Sequence, residues 1–192
     1  MYYSMCNYLY VCILLLFLFY LLARSANIYT IAYGNGKFVA GCERGITATS
    51  SDGTTWTAAT SNVFERPSPF DSTIIMKVSV LTIAFGNNKF VAGSNWGDTA
   101  YSSDGITWTK VADNKLGGNI NTIVYGNNKF IAGDQSGDIA ISSDGVTWTS
   151  AGSSILGSDG YDRGYNVFGI AYGNNRFVAG GSGDKMAYST WK

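Results

Sequence analysis

Histidine is absent from this chain. That removes the Ser-His-Asp and Cys-His nucleophilic arrangements and most zinc sites in one step. Cysteine is nearly as scarce: Cys6 and Cys12 fall in an apolar N-terminal stretch, which leaves Cys42 alone in the remainder. No disulfide can form within that remainder, so Cys42 is either a small loop residue or a free thiol. Charge of one sign is lacking too, since 13 Lys and Arg balance 13 Asp and Glu with no basic block. Phosphate binding needs clustered Lys and Arg, so nucleic acid is not an expected partner. Proline occurs only at Pro67 and Pro69.

Glycine is abundant at 24 residues and aromatics make up 15%. That mixture suits many short strands joined by tight turns. The one long apolar run, Tyr8–Ala23, has 16 residues. It is short for a membrane span but fits the hydrophobic region of a secretory signal, and Ala23-Arg24-Ser25 supplies small residues ahead of a cut. No Lys or Arg precedes the run. Residues 1–26 therefore read as a signal peptide or an uncleaved anchor, with a misplaced start codon as the third reading. The first two predict a secreted or membrane-anchored, extracytoplasmic domain, touching the membrane only through this leader.

Beyond residue 26 the chain repeats itself. Gly34–Gly41 (GNGKFVAG) recurs as Gly86–Gly93 (GNNKFVAG), Gly126–Gly133 (GNNKFIAG) and Gly173–Gly180 (GNNRFVAG), with starts 52, 40 and 47 residues apart. A second motif follows in Ser50–Thr57 (SSDGTTWT), Ser102–Thr109 (SSDGITWT) and Ser142–Thr149 (SSDGVTWT), and the fourth copy reads Tyr188-Ser189-Thr190-Trp191-Lys192. A period of forty or more residues matches one blade of a β-propeller. Each unit reads as four strands. The first ends at Ile31-Ala32-Tyr33, an Asn-Gly or Asn-Asn hairpin turn leads to Lys37–Ala40, Thr47–Ser50 is the third, and a Ser-Asp-Gly turn delivers a Trp-bearing fourth. Helical periodicity is absent. The expected fold is all-β: about four propeller blades of four antiparallel strands, the last incomplete. The expected blades are 28–60, 81–113, 120–151 and 167–192, with insertions at 61–80 and 152–166.

The Ser-x-Asp-Gly-x-Thr-Trp turn resembles the Asp-box, or bacterial neuraminidase repeat, usually written Ser-x-Asp-x-Gly-x-Thr-Trp and so one residue longer between Asp and Gly. With the preceding Gly-Asn-x-Lys-Phe-Val-Ala-Gly, the units are similar to blades of neuraminidase-repeat propellers and photosystem II assembly factors, from Ile28 to Lys192. Such families include enzymes, receptors and assembly factors, so the resemblance implies a scaffold rather than an activity. In them the box is structural. That assigns Asp52, Asp104 and Asp144, with Trp56, Trp108 and Trp148, to folding. Sialidases bind the substrate carboxylate with three arginines, one from an Arg-Ile-Pro segment. Here the arginines are Arg24, Arg44, Arg66, Arg163 and Arg176, and no Arg-Ile-Pro occurs. No catalytic residue, metal ligand or cofactor is expected.

Asp98 and Asp138 occupy equivalent positions before the third strand and read as scaffold. The acids left over are Glu43, Glu65, Asp71, Asp113, Asp134, Asp159, Asp162 and Asp184, and no spacing among them marks a paired-carboxylate glycosidase. In a four-stranded blade the first and third turns lie at one end, and the second-to-third loops and blade connections at the other. Both repeated motifs belong to the first end. The second-to-third loop keeps its length (Ala40–Ala48, Ala92–Ala100, Ala132–Ala140, Ala179–Ala187) while its contents vary. Both insertions emerge at that variable end. Loops on a rigid scaffold are where binding usually resides, which makes Glu43, Arg44, Asn95, Trp96, Asp134 and Gln135 the candidate ligand-binding residues. Trp96 stands outside the repeat pattern, and Phe64, Phe70, Tyr161 and Tyr165 are lesser aromatic candidates. Glu43-Arg44, Glu65-Arg66 and Asp162-Arg163 read as solvated pairs. The expected function is a non-catalytic domain binding a protein or a carbohydrate through this face. A glycoside-hydrolase fragment and an assembly-factor domain are the alternatives, and a homo-oligomer that closes the ring is a further expectation.

Overall fold

A computed structural model describes residues 26–59, 63–158 and 164–189. The leader, with its expected signal or anchor role, lies outside them, as do Asp159, Tyr161, Asp162, Arg163 and Trp191. The first four-stranded antiparallel sheet comprises β1 (Ile28–Gly34), β2 (Lys37–Cys42), β3 (Thr47–Ser50) and β4 (Thr57–Ala59), with a 3₁₀ turn at Glu43–Gly45. A two-stranded hairpin, β5 (Glu65–Pro67) and β6 (Ile75–Lys77), fills the first insertion. The second blade is β7 (Val80–Gly86), β8 (Lys89–Ser94), β9 (Thr99–Ser102) and β10 (Thr109–Lys110). The third is β11 (Ile120–Gly126), β12 (Lys129–Asp134), β13 (Ile139–Ser142) and β14 (Thr149–Gly152). The fourth has three strands among the described residues: β15 (Val167–Gly173), β16 (Arg176–Gly181) and β17 (Met186–Tyr188).

The expected hairpins form where the Asn-rich pairs stand. Asn35-Gly36, Asn87-Asn88, Asn127-Asn128 and Asn174-Asn175 all take φ between 45° and 72°. Two successive left-handed residues make the turn whose twist matches the flanking strands, and Asn and Gly adopt it most cheaply. Register is the same in every blade: Tyr33 opposes Phe38, Phe85 opposes Phe90, Tyr125 opposes Phe130 and Tyr172 opposes Phe177. The four ring pairs tilt at centroid distances of 4.7–4.8 Å. Each first strand also carries a bulge one residue in.

Successive blades pack through their first strands, β1 on β7, β7 on β11 and β11 on β15. The contact is a ring set on a glycine. A Cβ added to Gly34 would fall 2.1 Å from Phe85 Cγ, one on Gly86 2.0 Å from Tyr125 Cγ, and one on Gly126 2.3 Å from Tyr172 Cγ. One step outward, Gly41, Gly93 and Gly133 receive Val80, Ile120 and Val167 in the same way. Apolar layers of Val, Ile, Phe and Ala fill these seams, and Trp108 and Trp148 close two of them. Gly86→Ala is expected to destabilise by roughly 1–3 kcal/mol, the range for overpacking a filled core. Urea unfolding checks this.

The Ser-Asp-Gly turns are built on one carboxylate oxygen each. Asp104 Oδ1 accepts from the N–H groups of Ile106 (2.8 Å) and Thr107 (2.7 Å) and from Ser102 Oγ (2.9 Å). Ser102 Oγ in turn accepts from the N–H of Gly105 at 2.8 Å. Asp52 and Asp144 repeat the pattern. The tryptophans sit just ahead of the fourth strands rather than on them. Trp56 and Trp108 donate back to the glycine carbonyls at 3.2 Å, whereas Trp148 is buried without that bond. Burial pushes the Asp104 carboxyl up, but the N–H groups of Thr107 and Ile106 and the Ser102 hydroxyl outweigh it and hold it down to about 2. Asp144 is held at about 2 by the same balance. A carboxylate depressed in the folded state stabilises above its unfolded pKa near ~4 and loses that contribution as pH falls toward the folded value. Stability is therefore expected to drop between about pH 4 and 2, and the Asp104→Asn/Asp144→Asn double variant should be less stable at pH 7 and flatter across that window. Chemical denaturation at each pH measures both.

Candidate functional site

The two ends of the blades differ in what remains free. At the end with the Asn turns, the first blade is clasped to the second and the second to the third. Lys37 Nζ donates to the Asp104 carbonyl and Lys89 Nζ to the Asp144 carbonyl, both at 3.2 Å. Asn35 and Asn87 donate their side-chain amides to the Ser103 and Ser143 carbonyls at 3.4 Å. The repeated residues of this end are used in holding blades together.

At the opposite end, each second-to-third loop bonds to the segment entering its own first strand. The N–H groups of Glu43, Asn95, Gln135 and Ser182 donate to the carbonyls of Asn27, Ser79, Asn119 and Asn166 at 2.9–3.0 Å. The residue just before each of these is a buried anchor in the first three blades: Cys42, Ser94 and Asp134. Burial pushes the Cys42 thiol up, which leaves it inert. Ser94 Oγ accepts from the Asp98 N–H at 3.1 Å. Asp134 has no exposed surface; its Oδ1 accepts from Ser136 and Asp138 N–H and its Oδ2 from Gly117 and Gly118 N–H, at 2.8–3.1 Å. A carboxylate so occupied has nothing to offer a ligand from outside, so its place is that of a loop organiser. Asp134→Ala is expected to cost about 1–3 kcal/mol, the penalty for orphaned buried donors. Hydrogen exchange should quicken first at Gly117, Gly118, Ser136 and Asp138.

The other candidates lie on the surface above. Arg44 is exposed in a left-handed conformation at φ 59°, and Glu43 caps the Asn27 N–H at 3.4 Å. Gln135 is exposed. Asn95 Oδ1 accepts the Ser79 N–H at 2.7 Å, pinning the blade connection. Trp96 is 44% exposed, and the Arg66 guanidinium carbon lies 4.9 Å from its ring centroid while Nη1 donates to its carbonyl at 3.3 Å. Glu65 and Arg66, expected as a pair, do not pair: Glu65 meets Lys77 at 3.4 Å across the β5–β6 hairpin. The structure thus joins Trp96 to the inserted arm and leaves Gln135 and Arg44 on separate loops.

The arm itself has a fixed root and a bare tip. Phe64 and Val78 are fully buried, Phe64 stands edge-on to Trp108 at 6.0 Å, and the Val78 N–H donates to the Phe64 carbonyl at 2.9 Å. Phe64 is therefore core, not a ligand contact. Tyr165 likewise packs against the third seam. At the tip, Phe70 is 96% exposed and Ile74 and Ile75 are exposed beside it. Asp71 caps the local turn through Thr73, whose hydroxyl and N–H hold its carboxyl below the usual range. The isoleucines drew no notice in the sequence, because an apolar residue in an insertion is as readily core as surface.

No group of three His, Cys, Asp or Glu that could hold a metal occurs among the described residues. A cavity of about 150 Å³ opens between the third and fourth blades, lined by Ile131, Ile139, Phe177, Ala179 and Ala187. These match residues around Trp148 one seam earlier, so it is a packing site of the repeat, mainly apolar with Tyr188 and Ser189 at its edge.

No family model and no curated protein matches the chain. Solved structures do. YCF48 bound to D1 peptide aligns at TM-score 0.57 and 16% identity over 82% of this chain and 48% of that one. BamB from Moraxella catarrhalis aligns at 0.54 and 14%, over 82% and 42%. The computationally designed Ika4 protein aligns at 0.56 and 16%, over 85% and 90%. The fold is a β-propeller. At these identities the likeness carries the fold alone, and the chain spans about half the length of the first two.

Proposed function

We propose that the chain is a non-catalytic, extracytoplasmic protein-binding module of the neuraminidase-repeat kind, which receives its partner on the loop end beside the β5–β6 arm. The observation that carries this reading is the arm: a rigidly rooted hairpin that presents Phe70, Ile74 and Ile75 to solvent next to the Arg66–Trp96 stack. Exposed aromatic and aliphatic side chains on a buried root are the anchors that protein interfaces use. The neighbour YCF48 holds a D1 peptide, which supports a peptide-like partner here. A carbohydrate is the less favoured ligand, because the Arg66 guanidinium occupies a face of Trp96 on which a sugar ring would stack. The extracytoplasmic setting rests on the leader.

Cross-linking of the full chain in source extract, followed by mass spectrometry, identifies the partner. Phe70→Ser and Trp96→Ala should each weaken its binding by about thirtyfold, the loss expected for a central anchor, with melting nearly unchanged. Normal binding by both variants, with loss on substitution at Asn87–Lys89, would place the site at the opposite end. Hydrolysis of a chromogenic glycoside would overturn the non-catalytic reading. A periplasmic reporter fused after residue 26 that stays inactive would overturn the setting.

A further inference from the structure

The three internal seams are assembled from the same parts, and the two terminal blades carry those parts unpartnered among the described residues. On the first blade Tyr33 and Ile31 are 60% and 56% exposed, whereas Ile83, which matches Ile31 one blade on, is 6% exposed. On the fourth blade Gly173 and Gly180 face open space where Gly34 and Gly41 meet Phe85 and Val80. Met186 and Tyr188 beside them are 76% and 64% exposed.

We propose that two copies of this chain join head to tail, the Tyr33 face of each seating on the Gly173 face of the other, to close one ring. Tyr33 then takes Gly173 as Phe85 takes Gly34, and Ile28 takes Gly180 as Val80 takes Gly41. Gly53 and Trp56 cover Val178 as Gly105 and Trp108 cover Val39. Arg176 and Asn174 stand where Lys37 and Asn35 donate to the next blade, and the carbonyls of Asp52 and Ser51 are the matching acceptors. Each copy brings four blade sheets, so two copies supply eight. A head-to-tail contact made twice around one axis closes, and it sets both loop ends and both arms on the same side. This inference stands independently of the protein-binding reading.

One part is missing from the new seam. The hydroxyls of Thr30 and Thr82 accept from the N–H groups of Ile83 and Ile123 across internal seams at 3.1 and 3.0 Å, but Gly169 stands at that position in the fourth blade. An added Cβ there meets nothing within 4 Å.

Sedimentation equilibrium of the full chain, in detergent that masks the leader, should give a two-chain mass. Gly173→Val should leave circular dichroism unchanged and weaken association at least tenfold, lowering melting only at concentrations where the parent chain is dimeric. Gly169→Thr, which supplies the absent acceptor in both seams, should tighten it about thirtyfold, roughly fivefold for each of two hydrogen bonds. Mixing Tyr33→Cys with Gly173→Cys, in a Cys6→Ser/Cys12→Ser/Cys42→Ser background, should yield a disulfide between copies that neither variant forms alone. A monomer at every concentration, an open filament, or a dimer indifferent to Gly173→Val would overturn the proposal.

Discussion

An aromatic or aliphatic side chain seated on a glycine is the contact on which this architecture depends. Blades stack closely only because Gly34, Gly86 and Gly126 leave room for the rings of Phe85, Tyr125 and Tyr172. The identical register within each sheet serves that contact, since it places every ring at the same height and on the same face. A one-residue slip in any hairpin would turn the ring away from its glycine. The left-handed Asn turns, which set that register, are therefore part of the packing rather than ornaments on it.

The same economy sets the two ends of the blades apart. Carboxylates that satisfy turn N–H groups, and lysines that reach across to the next blade, commit the main charged groups of the Asn-turn motifs to the scaffold. The loop end is organised differently. Its buried anchors, Cys42, Ser94 and Asp134, hold the loop base, and the residues one or two places further on are released to the surface. Asp134 shows the division clearly: the only charged side chain buried among the described residues, it is entirely turned inward upon backbone donors.

The inserted hairpin breaks the repeat without disturbing it. Phe64 and Val78 dock into the seam between the first two blades, against Gly45 and Trp108, so the insertion adds to that core before it leaves it. Beyond Pro67 the arm contributes apolar surface that the domain does not use. A rigid root with an apolar tip gives an anchor little conformational entropy to lose on contact.

Strands, turns and blade number were legible in the sequence because they rest on local chemistry repeated at fixed spacing: Asn pairs for left-handed turns, a Ser-Asp-Gly for the next, aromatic residues at one register position. Thr47–Ser50, Thr99–Ser102 and Ile139–Ser142 fall where that pattern puts them. The division into two ends was legible for the same reason. What only the tertiary structure decided is which side of each residue meets protein. Asp134 and Gln135 are neighbours in sequence, yet one is sealed under four N–H groups and the other faces solvent. Phe64 and Phe70 are six residues apart in one insertion, one wholly buried and one almost wholly bare. Burial depends on what the fold brings across from distant segments, and a stretch without periodicity carries no record of that in its own residues.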